Sequence, residues 1–366
     1  MSSDLIYQLS LSSVPGVGSV NAKNLCEHFA SARDIFNAKH RELERITNIG
    51  PSIARNIKSF KDFDKAEKEI RFIERYDIEP LFLTDKKYPK RLLNCEDPPT
   101  LLFYKGTADL NAPKIISIVG TRRNSDYGRS TVEKLITELS RQDVIIVSGL
   151  AFGIDSLAHK AALQNQLQTI GVIAHGMDII YPPENKSLAK EMINRGGLLT
   201  EFRSFTKPDK YNFPSRNRIV AGMSDATIVI ESDNKGGSMI TAELANSYNR
   251  DVFAVPGRIT DSRSRGCNEL IKNNNALILN NPAQFAETMG WEDRTIVRSM
   301  QKELFIELDE NEKQVVTLLK ESGYISMEQL NLNCGMSTIT LASTLLNLEL
   351  KKIIHALPGK KYKLTG

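Results

Sequence analysis

No pair of cysteines in this sequence is spaced to clasp a metal ion or to begin a disulfide framework. The four present, Cys26, Cys95, Cys267 and Cys334, stand far apart in the chain, which points to reduced, partly buried thiols. The five histidines form no HExxH pattern, so that helix-borne zinc site is absent too. No stretch offers the roughly 20 apolar residues of a membrane-spanning helix, and the N-terminus lacks the basic start and apolar core of a secretory signal. These absences predict a cytoplasmic protein without membrane insertion. A strong charge of either sign is also missing: 48 Lys and Arg against 44 Asp and Glu leave a net +4 on 366 residues, which permits nucleic-acid binding without requiring it.

What is present is a soluble, globular composition, 41% hydrophobic and 25% charged, with length enough for two or three domains whose cores need no disulfide. Residues 1–76 read as a helical domain with an internal repeat. VPGVGSVNAKNL from Val14 aligns with ITNIGPSIARNI from Ile46, placing Gly18 over Gly50 and Leu25 over Ile57. Both pieces resemble helix-hairpin-helix units, in which a glycine permits the tight turn and backbone N–H groups at a helix start can meet a phosphate. The second copy has Asn48 where the first has Gly16. Such turns serve either nucleic-acid contact or helix packing.

Residues 77–112 carry Pro80, Pro89, Pro98 and Pro99 between short apolar runs and read as a connector packed on its neighbour. Residues 113–293 alternate short apolar strands, such as IISIVG from Ile115 and VIIVSG from Val144, with helices expected at 128–141, 156–164, 186–194 and 239–249. That rhythm predicts an α/β fold: an extended Rossmann-like, largely parallel sheet with ligand loops at the strand C-terminal edge. A charged linker, 294–308, leads to 309–366, where three helices and a hairpin about Pro358-Gly359 suggest a winged helix. Lys351, Lys352, Lys360, Lys361 and Lys363 gather near its end, yet Thr338 to Leu350, the helix that would enter a groove, offers mainly Thr, Ser, Leu and Asn. Its Leu345, Leu346, Leu348 and Leu350 are expected in the core. Major-groove reading is disfavoured, and docking to a partner or to the rest of the chain is an equal alternative.

The strand-end loops carry the chemistry. GTRRNSDYG at Gly120 lacks the three-glycine dinucleotide signature, and its Arg122 and Arg123 can grip phosphate or close on internal carboxylates. In SGLAFGIDSLAH, Ser148 and the backbone at Gly149 can face an oxyanion. Asp155 and His159 lie one turn apart there and read as capping and packing rather than catalysis. KYNFPSRNRIVAG brings Lys210, Phe213, Arg216, Asn217 and Arg218 together at an expected helix beginning, a composition suited to phosphate neutralisation with base stacking, or to internal ion pairs around a core ring. In NKGGSMITAE, the N–H groups about Gly236, Gly237 and Ser238 open another helix toward anions.

Taken together, GTRR, SGLAFGIDSLAH, DIIYPPEN, FPSRNRIVAG, GGSMITA and DVFAVPG resemble the DNA-processing protein A (DprA/Smf) family over most of the chain. That resemblance implies a helical N-terminal domain, a Rossmann-like centre and a winged-helix-like C-terminal domain. It also implies a non-enzymatic role without cofactor or catalytic residue: binding and protecting incoming single-stranded DNA and loading RecA recombinase during natural transformation or recombination, as a homodimer joined through the central domain. Carried over, the DNA pocket comprises Arg122, Ser148, Gly149, Lys210, Phe213, Arg216, Asn217 and Arg218. Gly236 stands where the family more often has serine, which removes a hydroxyl contact there. Two other classes compete: a nucleoside-monophosphate phosphoribohydrolase, whose PGGxGTxxE pattern is partly echoed in KGGSMITAE with Glu243, and a protein-interaction scaffold.

Overall fold

The computed structural model describes residues 4–291, 308–351, 353–357 and 361–365. Contacts divide the chain into two compact units, Met1–Trp291 and Glu292–Gly366.

The first unit begins with helices α1 (Leu5–Leu11), α2 (Ser19–His28), α3 (Ala32–Asn37), α4 (His40–Leu43), α5 (Pro51–Ser59) and α6 (Asp64–Tyr76). The sequence repeat is also a geometric one. Gly16 and Asn48 both take the left-handed backbone conformation, at φ 85° and 66°, and asparagine is among the few other residues that tolerate it. Asn48 therefore replaces the glycine without losing the turn. The aligned pairs Val17 and Ile49, Ala22 and Ala54, Leu25 and Ile57 are all buried. Each copy also bonds the other's turn: the Asn24 amide donates to the Thr47 carbonyl at 3.1 Å, and Asn56 to that of Pro15 at 2.9 Å.

Strands follow as β1 (Glu79–Phe82), β2 (Leu101–Gly106), β3 (Ile115–Gly120), β4 (Ile145–Ser148), β5 (Thr169–Val172), β6 (Gly196–Thr200), β7 (Ala226–Ile230), β8 (Asp251–Ala254) and β9 (Leu277–Ile278). They form one sheet in the order β1-β2-β6-β5-β4-β3-β7-β8-β9. From β6 to β9 neighbouring strands are parallel, while β1–β2 and β2–β6 are antiparallel. The segment 77–112, expected as a packed connector, thus supplies two strands and the short helix α7 (Lys90–Leu93). Pro80 is accommodated because β1 is the sheet edge, where a missing N–H leaves no neighbour unpaired.

Helices α8 (Asp126–Leu139), α9 (Ile154–Gln164), α10 (Lys186–Asn194), α11 (Asn212–Gly222) and α12 (Gly237–Ser247) cover the sheet. Alternation along the strands sorts the core into two layers. Ile116, Ile118, Ile146 and Ile228 pack with Val132 and Leu135 of α8 and Ala158 of α9. Ile115, Val147, Ile170 and Val229 pack with Ile219 of α11 and Ala242 of α12, a layer that continues into the N-terminal helices. With both faces covered, strands such as Ile115–Gly120 read as unbroken apolar runs.

In the second unit, helices Glu310–Ser322, Met327–Cys334 and Thr338–Leu350 pack with three strands, β10 (Tyr324–Ser326), β11 (Ile354–Leu357) and β12 (Lys361–Leu364), ordered β10-β12-β11. The expected two-stranded hairpin is a three-stranded sheet, because β10, whose Ile325 and Ser326 were expected to open the second helix, pairs antiparallel with β12. Leu345 and Leu348 are buried, but Leu346 and Leu350 face outward at 58% and 73% exposure. Only the first pair shares the helix face that meets Val315 and Leu319. Lys352, Lys360, the turn residues Pro358 and Gly359, and the expected linker apart from residue 308 lie outside the described residues.

Candidate nucleic-acid interface

The strand order reverses direction around β3: the chain lays down β4, β5 and β6 on one side, then crosses to β7, β8 and β9 on the other. At such a switch point, loops leaving adjacent strand ends diverge and open a crevice. A cavity of about 280 Å³ occupies it, lined by Gly120 to Arg122 after β3, Gly149 and Ala151 after β4, and Ser232 and Asp233 after β7. The starts of α11 and α12 complete the wall with Phe213, Arg216, Asn217, Gly237 and Ser238.

The loop after β3 is held by a residue that the motifs did not point to. Glu231, buried at the end of β7, accepts hydrogen bonds from the Ser125 N–H at 2.9 Å and from the Ser125 hydroxyl, and its own carbonyl accepts from the Thr121 N–H at 2.7 Å. Its signal in the sequence was a carboxylate closing the apolar strand ATIVI. Ser125 in turn accepts from the Gly128 N–H at 3.2 Å, which starts α8 at Asp126, two residues before the expected position.

Arg122 is exposed, and its guanidinium lies 5.4 Å from the centre of the half-buried Phe213 ring. Arg216 approaches the same ring at 5.9 Å, from inside the protein. Its Nη1 donates to the Val172 carbonyl at 3.0 Å, and its Nε has no hydrogen-bond partner. Burial works against its charge, Asp155 supports it, and Arg122 opposes it. Gly149 makes this placement feasible: a Cβ there would stand 1.5 Å from Nη1 of Arg216. Opposite, α12 begins at Gly237 with no side chain capping it, so the start of its dipole is left to whatever anion enters. Asn217 bridges the two helices by donating to the Gly237 carbonyl at 3.2 Å.

Other expected residues take different places. Ser148 ends β4 fully buried and donates its hydroxyl to the Ile118 carbonyl at 2.6 Å, so it ties two strands together. Ser238 reaches the cavity wall but donates to the Ser232 hydroxyl at 2.8 Å. Arg123 and Lys210 are exposed and do not line the cavity, with the Lys210 ammonium 4.9 Å from the Tyr211 ring centre. Arg218 points elsewhere: it donates to the Asp97 carbonyl and pairs with Glu201. α11 begins at Asn212, so Arg216 and Arg218 sit within the helix, about 200° apart around its axis. One side chain entering the cavity excludes the other.

The acid–base candidates do not converge. Asp155 accepts from the Ala151 N–H at 3.3 Å, and burial raises its carboxyl above the ordinary value against the opposing pull of Arg216. His159 turns into the protein, 2.6 Å from the Thr169 hydroxyl. Glu243 is exposed and does not line the cavity. Among the described residues no group of His, Cys, Asp and Glu is arranged to hold a metal ion, and no helix is long and apolar enough to cross a membrane. Cys95, Cys267 and Cys334 are buried and all four thiols are free, with burial raising the Cys267 thiol to about 11.

Comparison with known proteins gives this crevice its context. The profile of DNA recombination-mediator protein A matches residues 79–290, more than half of the chain. The chain belongs to that family. A helix-hairpin-helix motif matches residues 5–70, and the DprA winged helix domain matches 306–360. Protein Smf of Synechocystis is 36% identical over 284 residues, covering 76% of this chain and 71% of its own length. The crystal structure of DNA processing protein A from Streptococcus pneumoniae superposes with a TM-score of 0.66 at 34% identity, covering 79% of this chain and 98% of that one. A Helicobacter pylori DNA processing protein A, described for its single-stranded DNA binding mode, gives 0.53 at 33% identity, covering 58% of this chain and 95% of its own. This member of the family therefore has the α/β centre, helical N-terminal region and winged helix that the sequence motifs implied.

Proposed function

We propose that this protein binds single-stranded DNA across the switch-point crevice, shields it, and hands it to RecA during transformation or recombination, without catalysing a reaction. The observation that carries the reading is the grouping of Arg122 and Arg216 around the ring of Phe213, beside the uncapped start of α12. A phosphodiester needs cations and N–H donors, an unpaired base needs an aromatic or guanidinium face, and both requirements meet here. In this reading Arg122, Gly149, Phe213, Arg216, Asn217 and Gly237 form the contact surface, with Arg123 and Lys210 available to phosphates at the rim. Ser148, Ser238 and Arg218 support it from within. The family relatives and the single-strand binding mode of the H. pylori protein support the ligand class. Assembly as a homodimer through the central unit and delivery to RecA rest on the family resemblance. The phosphoribohydrolase alternative loses its base, because Glu243 stands off the cavity lining.

Titration with matched single-stranded and blunt duplex oligonucleotides across a range of salt tests this. Single strands should bind more tightly, and log affinity should fall linearly with log salt. Arg122→Ala should weaken all sequences alike by about tenfold and make that slope shallower by about 0.7. Equal binding to duplex, or a folded Arg122→Ala protein with unchanged affinity, would refute the assignment. RecA filament assembly on otherwise blocked single strands tests delivery: no acceleration when this protein is added removes that part of the reading.

A further inference from the structure

A second, larger cavity, about 710 Å³, lies between α6 and α10, outside everything assigned above. Six cations line it: Lys68, Arg71 and Arg75 from α6, Lys105 from β2, and Lys186 and Lys190 from α10. None of the ion pairs among the described residues engages Lys68, Arg71, Arg75, Lys186 or Lys190. Asp178 is the lining carboxylate, and it accepts the Phe205 N–H at 2.6 Å. The rim is therefore strongly positive, with six cations against the one lining carboxylate of Asp178.

Between the cations stand three aromatic rings. Phe72 contacts Tyr76 at 4.6 Å and Phe205 at 5.5 Å between centroids, and Phe205 is 73% exposed. Phe205 also has a left-handed backbone, φ 64°, a conformation that costs a bulky residue energy and persists where surrounding structure enforces it. The floor is apolar, formed by Ile78, Ile193 and Leu198 among others.

One loop lines both the groove and a small cavity that borders the switch-point crevice. In the loop after β5, His175, Tyr181 and Pro182 line a small cavity together with Arg122, Gly149 and Phe213, while Met177, Asp178 and Ile180 line the groove. Tyr181, itself exposed, approaches Phe213 at 6.4 Å. Tyr181, beside Phe213, thus belongs to the same loop that supplies Met177, Asp178 and Ile180 to the groove.

We propose that the α6–α10 groove is a second binding site for single-stranded DNA, taking the continuation of the strand held at Arg122 and Phe213, with phosphates on the α6 and α10 cations and bases against Phe72, Tyr76 and Phe205. This rests on the function proposed above. Aromatic rings interleaved with cations that form no ion pair favour nucleotides over an acidic peptide, which would need the charge but not a bank of stacking faces.

The test uses the full chain and labelled oligothymidylates of about 4 and about 16 nucleotides, lengths that bracket the footprint of a single binding fold. Arg71→Ala combined with Lys190→Ala should weaken the longer oligonucleotide about tenfold and make its salt slope shallower by about 1.4, while the shorter one changes less than about twofold. Phe205→Ala, at an exposed side chain, should repeat the selective loss without affecting the fold. Lys39→Ala with Lys134→Ala, a charge-matched pair before α4 and on α8, should leave both unchanged. Arg122→Ala should weaken both lengths, so failure of the crevice reading shows in the short oligonucleotide and failure of the groove reading in the long one. Unchanged binding of the longer oligonucleotide by folded groove variants overturns the proposal and leaves the groove to a ligand such as an acidic peptide. Equal losses at both lengths overturn it as well.

Discussion

Arg218 lies two residues from Arg216 and has the opposite task. Its guanidinium is mostly buried between Glu201 and Asp97, and burial raises the Glu201 carboxyl while Arg218 pulls it down. Removing one partner of such a pair leaves the other buried and uncompensated. Arg218→Ala should therefore cost about 3 kcal/mol of stability in urea unfolding, while the protein that remains folded binds oligonucleotides as before. A large affinity loss with unchanged stability would return Arg218 to the binding surface. His159 makes a pH argument. The Thr169 hydroxyl donates to the Ile146 carbonyl at 2.9 Å, so His159 Nδ1–H donates to Thr169, and the buried Nε2 carries no proton and no partner. Burial, followed by the charge of Arg216, lowers this imidazole from 6.5 to about 3. The unfolded chain takes up the proton first, so the contribution is complete above pH 6.5 and is lost progressively as pH falls toward 3, up to about 5 kcal/mol. Unfolding free energies measured down the pH scale should fall faster for wild type than for His159→Gln; parallel curves would contradict the assignment. Residue types at the site were legible in sequence, but directions were less so. Arg122, Gly149 and Phe213 could be placed by motif, whereas separating Arg216 from Arg218 required knowing that the helix had already begun at Asn212.

At the scale of elements, the parallel strands were readable because burial on both faces turns them into short apolar runs between turn residues. The strands that escaped notice lacked that contrast. β1 contains Pro80, and β2 follows the Pro98-Pro99 pair, so proline made an antiparallel extension look like a connector. β6 opens with Gly196 and Gly197, residues that favour turns in isolation, yet the Tyr104 hydroxyl donates to the Gly196 carbonyl at 2.9 Å and helps fix the strand beside β2. The second helix-hairpin-helix copy was legible despite Asn48, but only its backbone angle shows the two turns to be equivalent. Glu231 illustrates the same limit. A carboxylate ending a strand looks ordinary until the loop it holds is seen to carry Arg122.

For the whole molecule, the division at Trp291 matters most. The crevice and the groove both belong to the first unit, and the winged-helix unit has its own core of Val315, Leu319, Leu330, Leu341, Leu345 and Leu348. Each unit meets the usual condition for folding alone. A chain ending at Trp291 should stay folded and keep its affinity for single strands within about threefold, and under the central-interface reading it should scatter light as a dimer. A monomer would place dimerisation in the terminal unit, and a large affinity loss would give that unit a share of the DNA. The sheet order has a mechanical consequence for the groove. α6 runs into β1, α10 runs into β6, and both strands pair with β2. The two jaws are therefore anchored to one hydrogen-bonded ladder, at strands two spacings or about 10 Å apart, and drawing β1 away from β6 would require unzipping β2, so under the groove proposal the gap acts as a gauge of the strand's thickness.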